Sequence, residues 1–312
     1  MKRISTFYII LFITGFANTV TAQQAAMYSQ YMFNTLAINP AYAGSRNTVS
    51  ATTLFRSQWV GMPGSPKTGT FTIDAPLNKE KFGLGLQIFS DKLGESQTTG
   101  AVLSYAYRIK MEEATLAFGI QGSANQFKAD YTSVLLDPSG IQNDWAFSTD
   151  VNKTLLNAGT GVYYYSEKFY VGLSSPEIIN NKLSDVSPTS DSVGVPRQSL
   201  HLFLASGYVF PLGTDFKIKP SALLKGVKGA PIQLDLSTTL WIKDVIAIGA
   251  QYRSSADISA LLELQVKPQF RIGYAYDHSI TRLKSFNSGS HEIMLRYEFG
   301  LERGKILSPR YF

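Results

Sequence analysis

Near the C-terminal end the chain reads His291-Glu-Ile-Met-Leu-Arg-Tyr-Glu-Phe-Gly-Leu301. Ile293, Leu295, Tyr297, Phe299 and Leu301 fall on odd positions, and Glu292, Met294, Arg296, Glu298 and Gly300 on even ones. Side chains alternate across a strand with period two, so this strand has one apolar, aromatic face and one that is mostly charged or small. Two solvents fit it: the core of a soluble sandwich, or lipid on one side and a polar lumen on the other. The rest of the chain decides between them.

The 312 residues allow one large all-β domain or two ordinary domains. There is no Cys, which excludes a disulfide framework, a thiolate metal site and a cysteine nucleophile. Charged residues are only 17%, beside 17 Tyr, 19 Phe and 25 Gly, a mixture suited to twisted, half-buried strands. The net charge of +6 is spread without a basic run, so no nucleic-acid partner is expected. Lys2 and Arg3, the apolar run Phe7 to Ile13, and the small residues of Val20-Thr-Ala22 have the layout of a secretory signal peptide over 1–22. No later segment approaches twenty apolar residues, so no transmembrane helix is expected, and without a Cys at the cleavage site no lipid anchor.

Residues 23–48 form an N-terminal segment that fits neither the helical nor the strand period; Asn39-Pro40 and Ala43-Gly44 mark turns in it. It is expected in the periplasm or in a lumen. From Val49 the pattern gives fourteen strands: 49–57, 67–75, 82–90, 97–109, 113–127, 155–165, 168–174, 199–210, 215–224, 231–242, 245–253, 257–266, 269–277 and 291–301. The alternation is clearest over Phe82 to Ile88, Leu103 to Ile109, Ile232 to Ile242 and Phe270 to Tyr276. It is weakest over 168–174 and 199–210, where both faces are apolar and direct pairing is left open. Gaps after even-numbered strands are all short, while 128–154, 175–198 and 278–290 all follow odd-numbered ones. In an up-and-down sheet alternate gaps lie at opposite ends, and outer-membrane barrels sort short turns from long loops in this way. A soluble sandwich has no reason to. The expected fold is therefore an all-β, transmembrane, antiparallel up-and-down β-barrel over 49–301, with a periplasmic tail at 302–312 and both termini periplasmic.

At this point the sequence resembles a known family, the PorP/SprF-like outer-membrane proteins of the type IX secretion and gliding systems of Bacteroidetes. The resemblance is carried by Gln30-Tyr-Met-Phe-Asn34, Ala37-Ile-Asn-Pro-Ala-Tyr-Ala-Gly44, Arg56-Ser-Gln-Trp59 with Gly61 and Pro66, and Asp74-Ala-Pro-Leu77. It continues through Gly83-Leu-Gly85, Asp91-Lys-Leu-Gly94, Ser104-Tyr-Ala-Tyr107, Gly172-Leu-Ser-Ser175 and Pro220-Ser221. It ends with Gly273-Tyr-Ala-Tyr-Asp277 and Ser290-His-Glu-Ile-Met-Leu295. These cover the segment after the signal peptide almost end to end, and Asn39-Pro-Ala-Tyr-Ala-Gly44 is the most specific. The resemblance implies an outer-membrane barrel that is not an enzyme. Its implied partners are a secreted surface protein (an adhesin-like substrate with a type IX C-terminal domain), periplasmic type IX ring subunits, or both, besides the lipid around it. The barrel would help deliver the secreted protein to the cell surface or anchor it there.

The residues expected to meet such a partner are Tyr31, Phe33, Asn39, Pro40 and Tyr42 of the N-terminal segment, Trp59 after the first strand, and Trp145 and Phe147 in the longest loop. Apolar groups on the long loops are costly in water, so they either dock a partner or fold inward over the mouth. Arg108, Arg253, Arg271, Asp277, Arg296 and Glu298 lie mostly on the face opposite the apolar residues and are expected as lumen charges. They suit either a packed, salt-bridged lumen partly occupied by the N-terminal segment or an open aqueous path. The open path would make the chain a passive porin for small solutes. Catalytic, cofactor and metal sites are not expected. His201, His278 and His291 lack metal-ligand spacing, and Asp277-His-Ser279 places neighbours on opposite faces of a strand. Gly83-Leu-Gly85 sits inside a strand, where glycine relieves crowding or allows curvature.

Overall fold

The computed structural model describes residues 28–78, 80–133, 149–183, 197–228 and 230–300. The proposed signal peptide, the tail 302–312, and Trp145 and Phe147 lie outside them. The strands are β1 (Val49–Ser57), β2 (Lys67–Leu77), β3 (Phe82–Leu93), β4 (Ser96–Lys110), β5 (Ala114–Ala129), β6 (Val151–Ser166) and β7 (Phe169–Ser175). They continue as β8 (His201–Tyr208), β9 (Phe210–Leu212), β10 (Phe216–Val227), β11 (Gln233–Ile242), β12 (Ile246–Arg253), β13 (Asp257–Lys267), β14 (Phe270–Ser279) and β15 (Ser290–Phe299). All pairings between the described strands are antiparallel and between neighbours, and β1 pairs with β15 from Val49↔Phe299 to Ser57↔His291, which closes the ring. β8 and β9 are two halves of one stave, both paired with β10 and interrupted at Val209, whose N–H turns to the Lys168 carbonyl at 2.7 Å. The barrel therefore has fourteen staves. The pairing left open by the sequence is direct: β7 runs against β8 from Phe169↔Tyr208 to Ser174↔Phe203.

Closure matters because a sheet in lipid has no water to satisfy a free edge. The periodicity sets the faces. Leu295 is 40% exposed on the outside of β15 while Met294 is fully buried inside. Phe55, Phe71, Leu84, Leu103, Ile120, Leu236 and Ile258 are exposed on the outside of their strands in the same way. Replacing Leu295 with Arg should cost about 2–4 kcal/mol at mid-membrane. The expected result is a strong fall in outer-membrane level on immunoblots of membrane fractions.

One end of the barrel carries tight turns. Asn78 and Glu80, Gly213, and the pair Lys243-Asp244 all adopt positive φ there, the backbone that tight hairpins demand. The other end carries the long connections after β1, β5, β7 and β14. β4, β5 and β6 are 15, 16 and 16 residues long and run further toward the long-loop end than the sequence pattern indicated. The physical reason is on their outer faces. Gln97, Thr99, Gln126, Lys128, Asn152 and Thr154 are exposed and polar, so the apolar alternation stops while the hydrogen-bond ladder continues beyond the lipid.

Candidate functional site

The lumen is filled by the chain's own N-terminal segment. Residues 28–48 descend from the long-loop half toward the short-turn end through three 3-10 turns, Tyr31–Phe33, Thr35–Ala37 and Pro40–Tyr42. The Asn39 side chain caps the last of these, its Oδ1 accepting from the Ala41 N–H at 2.9 Å, and Pro40 follows with φ already suited to a turn. Asn39 Nδ2 donates to the Val162 carbonyl at 3.1 Å, which ties the turn to β6. Tyr31, Met32, Phe33, Leu36, Ile38, Ala41 and Tyr42 pack with inward residues of the staves, among them Tyr163, Phe203, Leu223, Trp241 and Leu261, as one apolar core. The Lys219 ammonium lies 5.3 Å from the centre of the Phe33 ring.

Glycines make room for this segment. A Cβ on Gly83 would sit 1.9 Å from the Ala43 carbonyl oxygen, and one on Gly119 2.2 Å from the Ala41 nitrogen. The glycine of Gly83-Leu-Gly85 is thus a seat for Asn39-Pro-Ala-Tyr-Ala-Gly44, a role that needs the two segments side by side in space.

Charges fix both ends of the plug. Toward the long loops, Arg56 binds Asp277 at 2.6 Å and Glu292 at 3.1 Å. The backbone N–H groups of Ser29 and Gln30 donate to the two oxygens of Glu292 at 3.0 and 2.8 Å, and Ser29 Oγ donates to Asp277 at 2.8 Å. Arg253 binds Asp235 at 3.0 Å and Asp257 at 3.4 Å, and donates to the Tyr28 carbonyl at 3.2 Å. Toward the short turns, Arg46 pairs with Glu298, and Asp74 accepts from the Gly44 N–H at 2.8 Å. Arg108 donates to the Gly44 carbonyl at 2.5 Å, to Asn47 and to the Tyr165 hydroxyl. Midway, Arg271 binds Glu263 at 2.8 Å and lies over the Trp241 ring. Burial of these ions is tolerable because Arg46, Arg56, Arg253 and Arg271 each meet an opposite charge and Arg108 makes several hydrogen bonds.

Of the residues singled out from the sequence, Arg108, Arg253, Arg271, Asp277, Arg296 and Glu298 all stand on inward positions. Tyr31, Phe33, Asn39, Pro40 and Tyr42 are buried in the plug and offer no surface to a partner while the plug is seated. Trp59 lies partly buried in the connection after β1 with φ +48°, its N–H on Ser290 Oγ at 3.1 Å. Asp277 points inward and His278 outward, so the two do not meet. Arg46, Arg56, Asp74 and Glu292 were not singled out as lumen charges. For Arg56 and Glu292 the signal was present, because both fall on the inward period of strands otherwise read correctly.

The plug is off-centre. Its first residues lean on β1 and β12 to β15, leaving a vestibule of about 250 Å³ against β3 to β8 that opens among the long loops. Phe89, Phe127, Leu155, His201 and Phe203 line it, with Tyr28 and Ile38 of the plug. Among the described residues, two buried polar atoms on its wall, Ser123 Oγ and Asn125 Oδ1, have no hydrogen-bond partner.

Among solved structures the chain is similar to the outer membrane protein Omp33 of Acinetobacter baumannii, at 11% identity and TM-score 0.46, covering 81% of this chain and 99% of that one. It is also similar to the monoaromatic hydrocarbon channel CymD (12%, TM-score 0.46, 88% and 93% covered) and to the KdgM porin (10%, TM-score 0.40, 80% and 99% covered). No curated protein matches the chain. A family model described as type IX secretion system membrane protein PorP/SprF matches residues 20–297. The closed, outwardly apolar barrel and this match, which runs from the plug through the closing strand, make the chain an outer-membrane protein that belongs to the PorP/SprF family of type IX secretion.

Proposed function

We propose that this chain is a non-conducting barrel of type IX secretion that binds a secreted surface protein or periplasmic ring subunits, and that in the first case it helps deliver or anchor that protein at the cell surface. The observation that carries this reading is the filled lumen. A porin needs a water path, and here the path holds Tyr31, Met32, Phe33, Leu36, Ile38 and Tyr42 at the packing of a protein core. What remains for function are the rims: the long loops with their vestibule on one side and the short turns on the other. With the short turns and both termini toward the periplasm, the vestibule faces the cell exterior, where a secreted protein arrives. The barrel acts by holding a partner and carries out no reaction on it.

Affinity capture from detergent-extracted outer membranes, with a tag after Phe312, tests this. Capture of a secreted protein with a type IX C-terminal domain, or of ring subunits, is the expected result. Steady single-channel conductance by the intact chain in planar bilayers, with no such protein captured, would overturn it.

A further inference from the structure

At the long-loop end, the outer face of β2 to β6 is sorted by height. Lys67 of β2 stands directly opposite Lys92 of β3, Lys92 opposite Gln97 of β4, Gln97 opposite Lys128 of β5, and Lys128 opposite Asn152 of β6. These five side chains are exposed on the outside of the barrel. The next outward row toward the middle is Gly69, then the hydroxyls and amide of Ser90, Thr99, Gln126 and Thr154. Below it Phe71, Ile88, Ala101, Ala124 and Leu156 begin the apolar band. No carboxylate falls on these outward positions. Asp91 points inward and accepts from Thr68 at 2.6 Å, while Glu95 and Asp130 lie past the strand ends. The surface pairs Lys110 with Glu80 and Lys217 with Asp244 are at the short-turn end, whereas among the described residues Lys67, Lys92 and Lys128 have no ion-pair partner.

We propose that this face holds a phosphorylated glycolipid of the outer leaflet, with its phosphate on Lys67, Lys92 and Lys128. The inference takes the orientation given above, long loops outward, and needs no protein partner. Like charges directly opposite each other on neighbouring strands repel, so Lys67 and Lys92 weaken the bare barrel and an anion between them relieves it. Neighbouring strands are about 4.8 Å apart and Lys128 is two strands from Lys92, so the flexible stems of all three bring their ammonium groups to one phosphate. The order of rows is the order of groups in such a lipid. Phosphate meets the cations, the sugar's hydroxyl and amide groups meet Ser90, Thr99, Gln126 and Thr154, and acyl chains run down along Phe71, Ile88 and Leu156. A phospholipid would offer the charge and the chains but leave the middle row without sugar partners. The short-turn end, with its surface cations already paired to Glu80 and Asp244, shows no such row among the described residues.

The test uses the purified full chain in detergent and bisphosphorylated lipid A as the probe, read by native mass spectrometry. Binding is expected, with at least a tenfold loss for dephosphorylated lipid A and for phosphatidylglycerol. The triple variant Lys67→Gln, Lys92→Gln, Lys128→Gln should also lose at least tenfold. Lys81→Gln, Lys168→Gln, Lys267→Gln, three exposed lysines at the short-turn end, should bind as the parent does. All six side chains point to water, so both variants should keep the heat-modifiable migration of a folded barrel on gels. Lys92→Glu alone gives Lys67 an opposite charge, so it should unfold at no lower temperature in lipid-free detergent and still bind at least tenfold less lipid A. Equal loss in the two triple variants, equal binding of dephosphorylated lipid A or phosphatidylglycerol, or no binding at all would overturn the proposal. So would a first triple variant that binds lipid A normally but loses a captured protein, since the row would then dock protein. The lipid readouts do not depend on whether affinity capture finds a partner, so the two readings fail separately.

Discussion

Removing residues 28–46 from the chain should turn a silent barrel into an ion-conducting one. The plug supplies Tyr31, Met32, Phe33, Leu36, Ile38 and Tyr42 to the apolar core of the lumen. Deletion exposes polar and charged wall groups such as Thr52, Arg271 and Arg296 to water, which then has a continuous path. Planar-bilayer recordings of the intact and deleted chains check this directly, and a silent deletion variant would show that the loops alone seal the barrel. The deletion also costs stability. Burial of each of Met32, Phe33, Leu36 and Ile38 is worth about 1.5–3 kcal/mol, and Glu298 and Glu292 lose the groups that neutralise or hydrogen-bond them. The deleted barrel should therefore unfold at markedly lower temperature. The ladder between staves does not depend on the plug, so the barrel should still insert.

Arg56→Ala is the single substitution expected to do the most harm. Arg56 is the cation between Asp277 and Glu292, and all three side chains are at most 2% exposed. Taking away one member of a buried ionic group leaves its partners charged and dry, at a cost of about 3–5 kcal/mol. Here two carboxylates are left facing each other. Urea unfolding in detergent should show a loss of that order, while Lys110→Ala, which breaks the exposed pair with Glu80, should change little. Combining Arg56→Met with Asp277→Asn and Glu292→Gln should restore much of the loss, because the uncompensated charges are gone. If the single and triple variants were equally unstable, packing around Arg56 would matter more than its charge.

The staves were legible because lipid outside and a packed lumen inside impose one period on every strand. Ile293, Leu295, Tyr297 and Phe299 announce their face without any partner in view. The upper parts of β5 and β6 were not legible, since water lies on their outer face and alternation carries no signal there. Residues 28–48 were harder for a different reason. A plug is buried on all sides, so Tyr31, Met32, Phe33 and Leu36 show no periodic face, and 3-10 turns are too short to set one. Gly83 and Gly119 looked like ordinary strand glycines, and only the proximity of Ala43 and Ala41 explains them. The buried charges were half legible: their faces could be read, but the triad Arg56, Asp277 and Glu292 joins strands far apart in sequence.

The way β15 meets both β1 and the plug has a consequence for how the molecule is made. Ser29 and Arg46 find partners in Glu292 and Glu298, 263 and 252 residues further along the chain. The charges of the N-terminal segment are therefore matched only when the last strand is in place. Once β15 has zipped onto β1, a bulky segment on the inside has no lateral exit. Plug seating and ring closure therefore share β15, whose one edge pairs with β1 and whose inward carboxylates hold the plug.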